Sequence, residues 1–391
     1  MGRAGVSAPR ALFLALCFAA ALLPGRAWAF PWFIHHGYVN CAQCHIDPSG
    51  AGALTPYGRG QGEILLRTLY EPMTEEPGRS KEFLFGVLPL PVPLTLQADV
   101  RSLVIPEPGN VRAILMQADL RGAVQAGAFL AYGSLGVVSE GASAAQVTTN
   151  TSGFNLVSRD YWVGVAPAEG WLVRAGRMNL PFGIRTEDHV LYARSATRTD
   201  TNDDQQLGAA VSVTTRKVRA ELMGIAGNYQ VSPDDFRERG YSGYFAYGLS
   251  KRAELGVSSL VTHAGADIET AQPRTRMAHG VFARGAPVSS LALLGELDLL
   301  HASSAGVPST GALFTGVADW EPVQGLHVQG IGQYCDPAFG DPGSVYTAGG
   351  AAQWFLASHV DLRADLFYGT LKCTPGATPS PLGLVQAHFY L

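Results

Sequence analysis

Apolar and polar side chains alternate without a break in Val360-Asp361-Leu362-Arg363-Ala364-Asp365-Leu366. A period of two residues is that of a β-strand, so the charged side chains share one face and the aliphatic ones the other. The same alternation occurs in Leu94-Thr95-Leu96-Gln97-Ala98-Asp99-Val100-Arg101 and in Ile114-Leu115-Met116-Gln117-Ala118-Asp119-Leu120-Arg121. A shorter copy lies at Glu296-Leu297-Asp298-Leu299. We therefore expect an all-β chain.

Strand-like segments fill one uninterrupted region, residues 83–391, cut at intervals by clusters of Gly, Pro, Asn and Asp. Alternation alone does not separate a soluble sandwich from a membrane barrel, because the two differ only in which face turns inward. Size and repetition favour a transmembrane antiparallel β-barrel, and the even-number rule gives 14 or 16 strands. The alternation from Val385 to Leu391 predicts a closing strand with aromatic side chains at the bilayer interface.

The first 29 residues have the pattern of a secretory signal. Arg3 and Arg10 precede an apolar core at residues 11–23, and Ala27-Trp28-Ala29 is a small-x-small cleavage site. We expect a mature chain that begins near Phe30. A β-barrel with a signal predicts the outer membrane of a Gram-negative cell, with membrane lipid as a partner. Only 15% of the residues are charged and no basic stripe is present, so we expect no nucleic-acid partner.

The motif Cys41-Ala42-Gln43-Cys44-His45 follows the signal closely. A C-x-x-C-H sequence offers two thiols to the vinyl groups of a haem and a histidine as proximal iron ligand, which predicts one covalently attached haem c. A structural zinc site would need a second Cys or His pair at finger or ribbon spacing, which the sequence lacks. A redox disulfide would not require His45 and is usually set in a βαβ pattern, which is missing here.

The sixth iron ligand stays open between two candidates. Met73 would supply a thioether and raise the reduction potential, whereas His36, or its neighbour His35, would supply an imidazole and give a lower potential. Three further histidines fall on the polar face of the predicted strands, and we interpret them as ordinary lumen side chains: His327, His359 and His388.

Residues 30–82 are predicted to be a haem segment and a proline-rich linker. A short helix is expected at residues 63–70, with an apolar side that covers a porphyrin edge. Tyr57 and Arg59 are candidates for edge or propionate contacts. The segment is too small to bury a haem alone, so we expect it to borrow a wall from the barrel, at the periplasmic mouth or inside the lumen.

Two cysteines remain in the barrel, Cys335 and Cys373. Strand orientation, counted backward from a C-terminus on the periplasmic side, places both at the external end of the barrel, two strands apart. The medium there is oxidising, so a disulfide between them is predicted.

The sequence Phe30-Pro31-x-Phe33-x-x-x-Gly37-x-x-Cys41-x-x-Cys44-His45, followed by Leu54-Thr55-x-Tyr57-Gly58, resembles the N-terminal signature of fused outer-membrane monohaem c-type cytochrome-porins, best known from iron-oxidising bacteria. The resemblance is clearest over residues 30–60. The stretch Arg174-Ala175-Gly176-Arg177-Met178-Asn179-Leu180-Pro181-Phe182-Gly183 is also similar to the G-x-x-x-x-P-F-G element of phosphate-selective-type porins.

The resemblance implies electron passage across the outer membrane, with Fe(II) as the donor in the best-known members. It also implies a periplasmic electron carrier, such as a soluble cytochrome, and an extracellular redox partner. We therefore expect an electron-transfer protein rather than an enzyme. Two alternatives stay open: a porin-like solute channel with a redox-responsive haem plug, and a peroxidase-like monohaem enzyme with an open iron face.

Overall fold

The computed structural model describes residues 31–50, 52–68, 83–86, 88, 90–91, 93–107, 109–139, 153–186, 188, 190–268, 270–340 and 343–390. The predicted signal, the linker around Met73 and the terminal Leu391 lie outside these ranges. No helix within them is long and apolar enough to cross a membrane.

The described ranges contain seventeen antiparallel strands in one sheet. They are β1 (Leu94–Glu107), β2 (Asn110–Ala126), β3 (Phe129–Ser139), β4 (Phe154–Val157), β5 (Tyr161–Val165), β6 (Trp171–Met178), β7 (Gln206–Thr214), β8 (Val218–Gly227), β9 (Arg239–Ser250), β10 (Ala253–Ala264), β11 (Arg274–Val288), β12 (Leu291–Ser304), β13 (Val307–Val323), β14 (Leu326–Asp336), β15 (Val345–Ala357), β16 (Val360–Gly369) and β17 (Ser380–Tyr390). The barrel thus begins at Leu94, later than the domain boundary expected at residue 83; a single 3₁₀ turn, Phe83–Gly86, precedes it.

The sheet closes on itself because β1 pairs with β2 on one side and with β17 on the other. Both β4 and β5 pair with β3, along successive parts of its length, so they are two halves of one interrupted strand. The barrel therefore has 16 strand positions, which confirms the all-β prediction and decides between 14 and 16. Closure leaves no strand with an unpaired edge among these 16, as a membrane barrel requires.

The polar face of the strands points into the barrel. On β16, Asp361, Arg363 and Asp365 are buried, whereas Leu362 is 41% exposed and Leu366 69% exposed. The same holds in β1 and β2, where the Gln, Asp and Arg side chains are buried. A soluble sandwich would bury the aliphatic face instead. The outward aliphatic surface is thus the one that a bilayer would cover.

Exposed aromatic side chains mark both ends of the barrel. Near the short turns these are Phe129, Trp171, Tyr247, Trp320, Trp354 and Phe389, and near the longer loops they are Phe154, Tyr241, Tyr334, Tyr346 and Tyr368. Aromatic girdles, short turns at one end and longer loops at the other are the pattern of outer-membrane barrels, in which the short turns are periplasmic. Both the N-terminal end of β1 and the C-terminal end of β17 lie at the short-turn end.

Residues 31–50 and 52–68 lie inside the barrel, and we call them the plug. The plug contains two 3₁₀ turns, Trp32–His35 and Cys41–Gln43, and one α-helix, Pro56–Leu65. The helix expected at residues 63–70 was therefore placed too late. Thr55 caps the helix through its side-chain oxygen and Pro56 occupies its first turn, and both are favoured at helix starts.

The plug is attached to the wall on several sides. The Ala53 amide donates to the Tyr132 hydroxyl at 3.2 Å, and the Leu54 amide donates to the Gln97 side chain at 2.9 Å. On the opposite wall, Arg284 donates to the Val39 carbonyl at 2.8 Å. At the short-turn end, the Thr68 amide donates to the Phe355 carbonyl at 2.8 Å. These bonds fix the plug to four different strands.

A long loop between β6 and β7, residues 179–205, also folds into the lumen. It contains a short helix, Tyr192–Ser195, whose first three residues are buried. The Nη2 atom of Arg194 in this helix donates to both carboxylate oxygens of Glu296 of β12, at 2.7 and 2.8 Å. The loop meets the plug, because Arg185 donates to the Pro48 carbonyl at 3.2 Å and Asn179 to the Ser49 hydroxyl at 3.3 Å. Plug and loop together occupy the middle of the barrel.

Candidate functional site

Cys41, Cys44 and His45 line one cavity of about 180 Å³ between the plug and the barrel wall. The fold brings them there because the 3₁₀ turn Cys41–Gln43 is capped by Asn40, whose side chain accepts from the Ala42 amide. The His45 backbone then pairs with Leu54. Cys41 and Cys44 are both free thiols, Cys41 half-buried and Cys44 buried. Burial raises the pKa of the Cys44 thiol to about 12, so it is neutral in this environment.

Glycines let the plug backbone close around the two cysteines. A Cβ added to Gly58 would lie 2.2 Å from the Cys44 carbonyl oxygen, and one added to Gly50 would lie 3.0 Å from the Cys41 sulfur. Gly52 has a φ of +80°, and its Cβ would meet the Tyr132 hydroxyl at 2.0 Å. Gly58 in the helix Pro56–Leu65 and Gly50 and Gly52 before it are therefore required by close approach, although a glycine weakens a helix.

The cavity has an apolar side and a charged side. The plug contributes apolar side chains, Trp32, Phe33, Leu54 and Leu66, and the barrel and the inward loop contribute four guanidinium groups, Arg101, Arg121, Arg185 and Arg363. Two carboxylates also line the charged side: Asp99, which pairs with Arg121 at 3.3 Å, and Asp188, which pairs with Arg363 at 2.6 Å. A c-type haem needs two thiols and a histidine, an apolar surface for the macrocycle and cations for its propionates. The residues present fit that requirement.

A second cavity, of about 1010 Å³, opens towards the external loops, and we call it the vestibule. Arg101, Asp188, Asn202 and Arg363 line both the vestibule and the smaller cavity. Cofactor pockets usually have volumes of roughly 300–1,000 Å³. The smaller cavity is below that range by itself, and the vestibule adjoins it through these four residues.

The candidate distal ligands lie in different places. Met73 falls outside the described residues. His36 is directed away from the cysteine cavity, with its Nε2 atom 3.1 Å from Glu321 of β13. His388 of β17, interpreted from the sequence as an ordinary lumen side chain, does line the cavity. Its two ring nitrogens are engaged by Asp361 at 2.8 Å and by Asp99 at 2.9 Å.

The structure brings neither Tyr57 nor Arg59 to the cavity. Tyr57 is 51% exposed, and its hydroxyl pairs with that of Tyr38. Arg59 donates to the Leu96 carbonyl of β1 instead, and burial lowers the pKa of its guanidinium. The arginines that do face the cavity come from the wall and the inward loop, far from the motif in sequence.

Asp47 connects the segment that carries the C-x-x-C-H motif to the barrel wall. Its carboxylate accepts hydrogen bonds from Arg174 of β6 and from the Trp162 indole of β5, the latter at 2.9 Å. Burial opposes ionisation of Asp47, but Arg174 and the hydrogen bonds from Ser49 outweigh it and hold the pKa of the carboxyl below its usual value. Arg174 also pairs with Glu221, so the pair is part of a buried network.

The predicted disulfide between Cys335 and Cys373 is present, with Cα atoms 5.8 Å apart. Cys335 lies near the end of β14 and Cys373 in the loop after β16, both at the long-loop end as expected. The cross-link holds that loop against the rim of the vestibule, since Cys373 lines this cavity.

Comparison with known proteins identifies the barrel. No protein-family profile and no curated protein sequence matches the chain. Solved structures do: OmpT of Vibrio cholerae has a TM-score of 0.59 at 9% identity, over 76% of this chain and 97% of that one. An anion-selective porin from Comamonas acidovorans has a TM-score of 0.54 at 15% identity, over 76% of this chain and 98% of that one.

The outer-membrane channel DcaP of Acinetobacter baumannii has a TM-score of 0.52 at 12% identity, over 76% of this chain and 97% of that one. The matched share of this chain is about the share that β1 to β17 occupy. The chain therefore has the fold of outer-membrane porins, with a plug in the lumen.

Proposed function

We propose that this protein is an outer-membrane c-type cytochrome fused to a porin-like barrel, and that it carries single electrons across the membrane. The observation that supports this most is the position of Cys41, Cys44 and His45 on one cavity inside the lumen. A covalently bound haem would supply one-electron chemistry through its iron. Cys41 and Cys44 would attach it and His45 would be the proximal ligand.

The location of the cavity matters because a hydrocarbon layer roughly 30 Å thick separates the two compartments. A redox group below the barrel would leave that distance uncrossed. The cysteine cavity shares Arg101 and Arg363 with the vestibule, which opens towards the external loops. On the other side, the plug reaches the short-turn end, where Gln324 donates to the Ile64 carbonyl at 2.7 Å. A group in this cavity would therefore lie between the vestibule and the part of the plug that reaches the short-turn end.

The residues around the cavity would also hold the haem and limit its contact with water. Arg101, Arg121, Arg185 and Arg363 would bind the propionates, and the apolar plug residues would limit water around the macrocycle. Fe(II) is one candidate donor, as the resemblance to cytochrome-porins implies. A soluble periplasmic cytochrome is the partner that the other end would serve.

The direct test is the mass of the mature chain, purified from outer-membrane fractions and stained for haem. We expect one added haem in the wild type and none in C41S/C44S. The matched control is C335S/C373S, which removes two cysteines elsewhere and keeps the haem. Proteoliposomes should pass electrons from an external reductant to an enclosed acceptor only with haem-bearing protein. A wild-type mass equal to that of the bare polypeptide contradicts the proposal.

A second candidate function is a solute channel whose plug responds to the redox state of the haem. It is favoured by the porin fold and by the vestibule, whose basic lining residues outnumber the acidic ones. Planar-bilayer conductance separates the two functions. A channel predicts anion-selective conductance that changes when the haem is reduced, whereas an electron carrier predicts electron transfer with little ion current.

A further inference from the structure

Three imidazoles and two carboxylates meet where the plug contacts β13 and β14, away from the cysteine cavity. The potential ligand atoms of His35, His36 and Glu321 lie within 4.8 Å of one another, and so do those of His35, Asp319 and His327. His35 belongs to both groups, so the five side chains form one cluster. We call it the mouth cluster because it lies beside the short turns.

Hydrogen bonds fix the ring orientation of two of these histidines. His35 Nδ1 lies 2.8 Å from the Ser289 carbonyl oxygen, and His327 Nδ1 lies 2.9 Å from an oxygen of Asp319. A carbonyl and a carboxylate only accept, so each Nδ1 atom carries the hydrogen. Each Nε2 atom then presents a lone pair. A backbone carbonyl or a carboxylate on the second nitrogen is the usual arrangement for histidines that bind metal.

Neither of these Nε2 atoms has a hydrogen-bond donor among the residues that the structure describes. His35 and His327 are fully buried, and their Nε2 atoms make no hydrogen bond to any described residue. His327 Nε2 lies 3.7 Å from one oxygen of Glu321, and His36 Nε2 lies 3.1 Å from the other. Buried acceptors without a donor are costly, and a cation bound to them removes the cost.

We propose that the mouth cluster binds a divalent first-row transition metal such as Zn²⁺, with His35, His36, His327 and Glu321 as ligands. Asp319 orients His327 through its hydrogen bond and receives a second one from Gln329 at 2.8 Å. Imidazole nitrogens with one carboxylate suit zinc and its neighbours, whereas calcium and magnesium prefer oxygen ligands only.

A metal bound at this site would cross-link the plug to the barrel. Two ligands come from the plug and two from the wall, so bound metal stabilises only the docked arrangement. The ring of Trp32 packs against His327 with 3.8 Å between centroids, and both side chains are buried. Metal binding at the mouth cluster does not depend on haem at Cys41 and Cys44, so the two proposals can be tested independently.

The test uses the folded full-length mature chain in detergent, stripped with a chelator and then loaded with Zn²⁺ alone. After desalting, we expect about one zinc per chain in the wild type and at least a tenfold loss of affinity in H35N/H327N. The control is H263N/H301N, which changes two exposed strand histidines and should bind as the wild type does. C41S/C44S should also retain the zinc, although it cannot carry haem.

Equal zinc binding by wild type and H35N/H327N overturns the proposal, as does a wild type that retains no zinc. Heat-modifiable gel mobility reports whether each variant is folded. If H35N/H327N does not fold, X-ray absorption of zinc-loaded wild type decides. Imidazole scattering at about 2.0–2.1 Å supports the mouth cluster, whereas sulfur at about 2.3 Å assigns the metal to Cys41 and Cys44 and overturns it.

Discussion

Asp47 of the plug and Arg174 of the barrel wall form an ion pair in which neither side chain has any exposed surface. The pair links the segment that carries the C-x-x-C-H motif to the middle of β6. Its position makes it a direct probe of how firmly the plug is docked.

Asp47→Ala should loosen the plug without unfolding the barrel. The change leaves Arg174 with Glu221 as its remaining carboxylate partner, and breaking a buried pair costs roughly 3–5 kcal/mol. Trypsin should then cut the plug at Arg67, while the barrel keeps its heat-modifiable mobility. Asp234→Ala is the control, because Asp234 forms an exposed pair with Arg237. Equal trypsin resistance of wild type and Asp47→Ala would falsify the docking role.

Gly183→Ala should release the inward loop from β12. The residue has a φ of +54°, and an added Cβ would lie 1.8 Å from one carboxylate oxygen of Glu296. The other oxygen of Glu296 accepts a hydrogen bond from the Ile184 amide at 2.8 Å. Loss of such a buried hydrogen bond costs about 1–3 kcal/mol. Hydrogen exchange across residues 179–205 should accelerate by roughly one to two orders of magnitude. Gly330→Ala, which meets nothing within 4 Å, should leave the exchange unchanged.

Loss of the Cys335–Cys373 disulfide should destabilise the external rim. The two cysteines are 38 residues apart, and a loop of that length corresponds to about 4 kcal/mol in the chain-entropy description. We expect a lower temperature for the heat-modifiable transition after reduction. C335S/C373S should show the same lower temperature and no response to reductant. An unchanged transition in both samples would rule out a structural role.

The two candidate distal ligands should respond differently to substitution. His36 is held by Glu321, so His36→Asn should leave the haem spectrum and potential as they are in the wild type. Met73→Leu should lower the reduction potential and open a coordination position that binds cyanide. The reverse result would assign the iron ligand to His36. Cyanide binding by the wild type would instead favour the peroxidase-like alternative.

The period-two alternation predicted the strands and their two faces, because register in a sheet with one buried face is fixed by side-chain polarity. The size and repetition of the strand region then favoured a barrel over a sandwich. The stretch from Val360 to Leu366 lies within β16, with its charges inward as the membrane interpretation requires. The external position of Cys335 and Cys373 followed from counting strands. The helix Pro56–Leu65 was missed because its three glycines argue against a helix, and only the contact of Gly58 with Cys44 explains one of them.

The barrel residues that line the candidate site could not be predicted from the sequence. Arg363 and His388 meet the plug only after β16 and β17 close the barrel beside β1, and no local spacing signals this. The mouth cluster was missed for the same reason, since His36 and Glu321 are 285 positions apart in the sequence. Charged residues that point into the lumen have the same sequence pattern whether or not they contact the plug. Only the folded structure shows which of them do.

The plug is enclosed by a ring that closes only when the last strand, β17, joins the first, β1. Cys44, which lies on the plug, is therefore inside this ring once the barrel has closed. Under the proposed function, haem would be ligated to the secreted N-terminal region before the barrel assembles around it in the membrane.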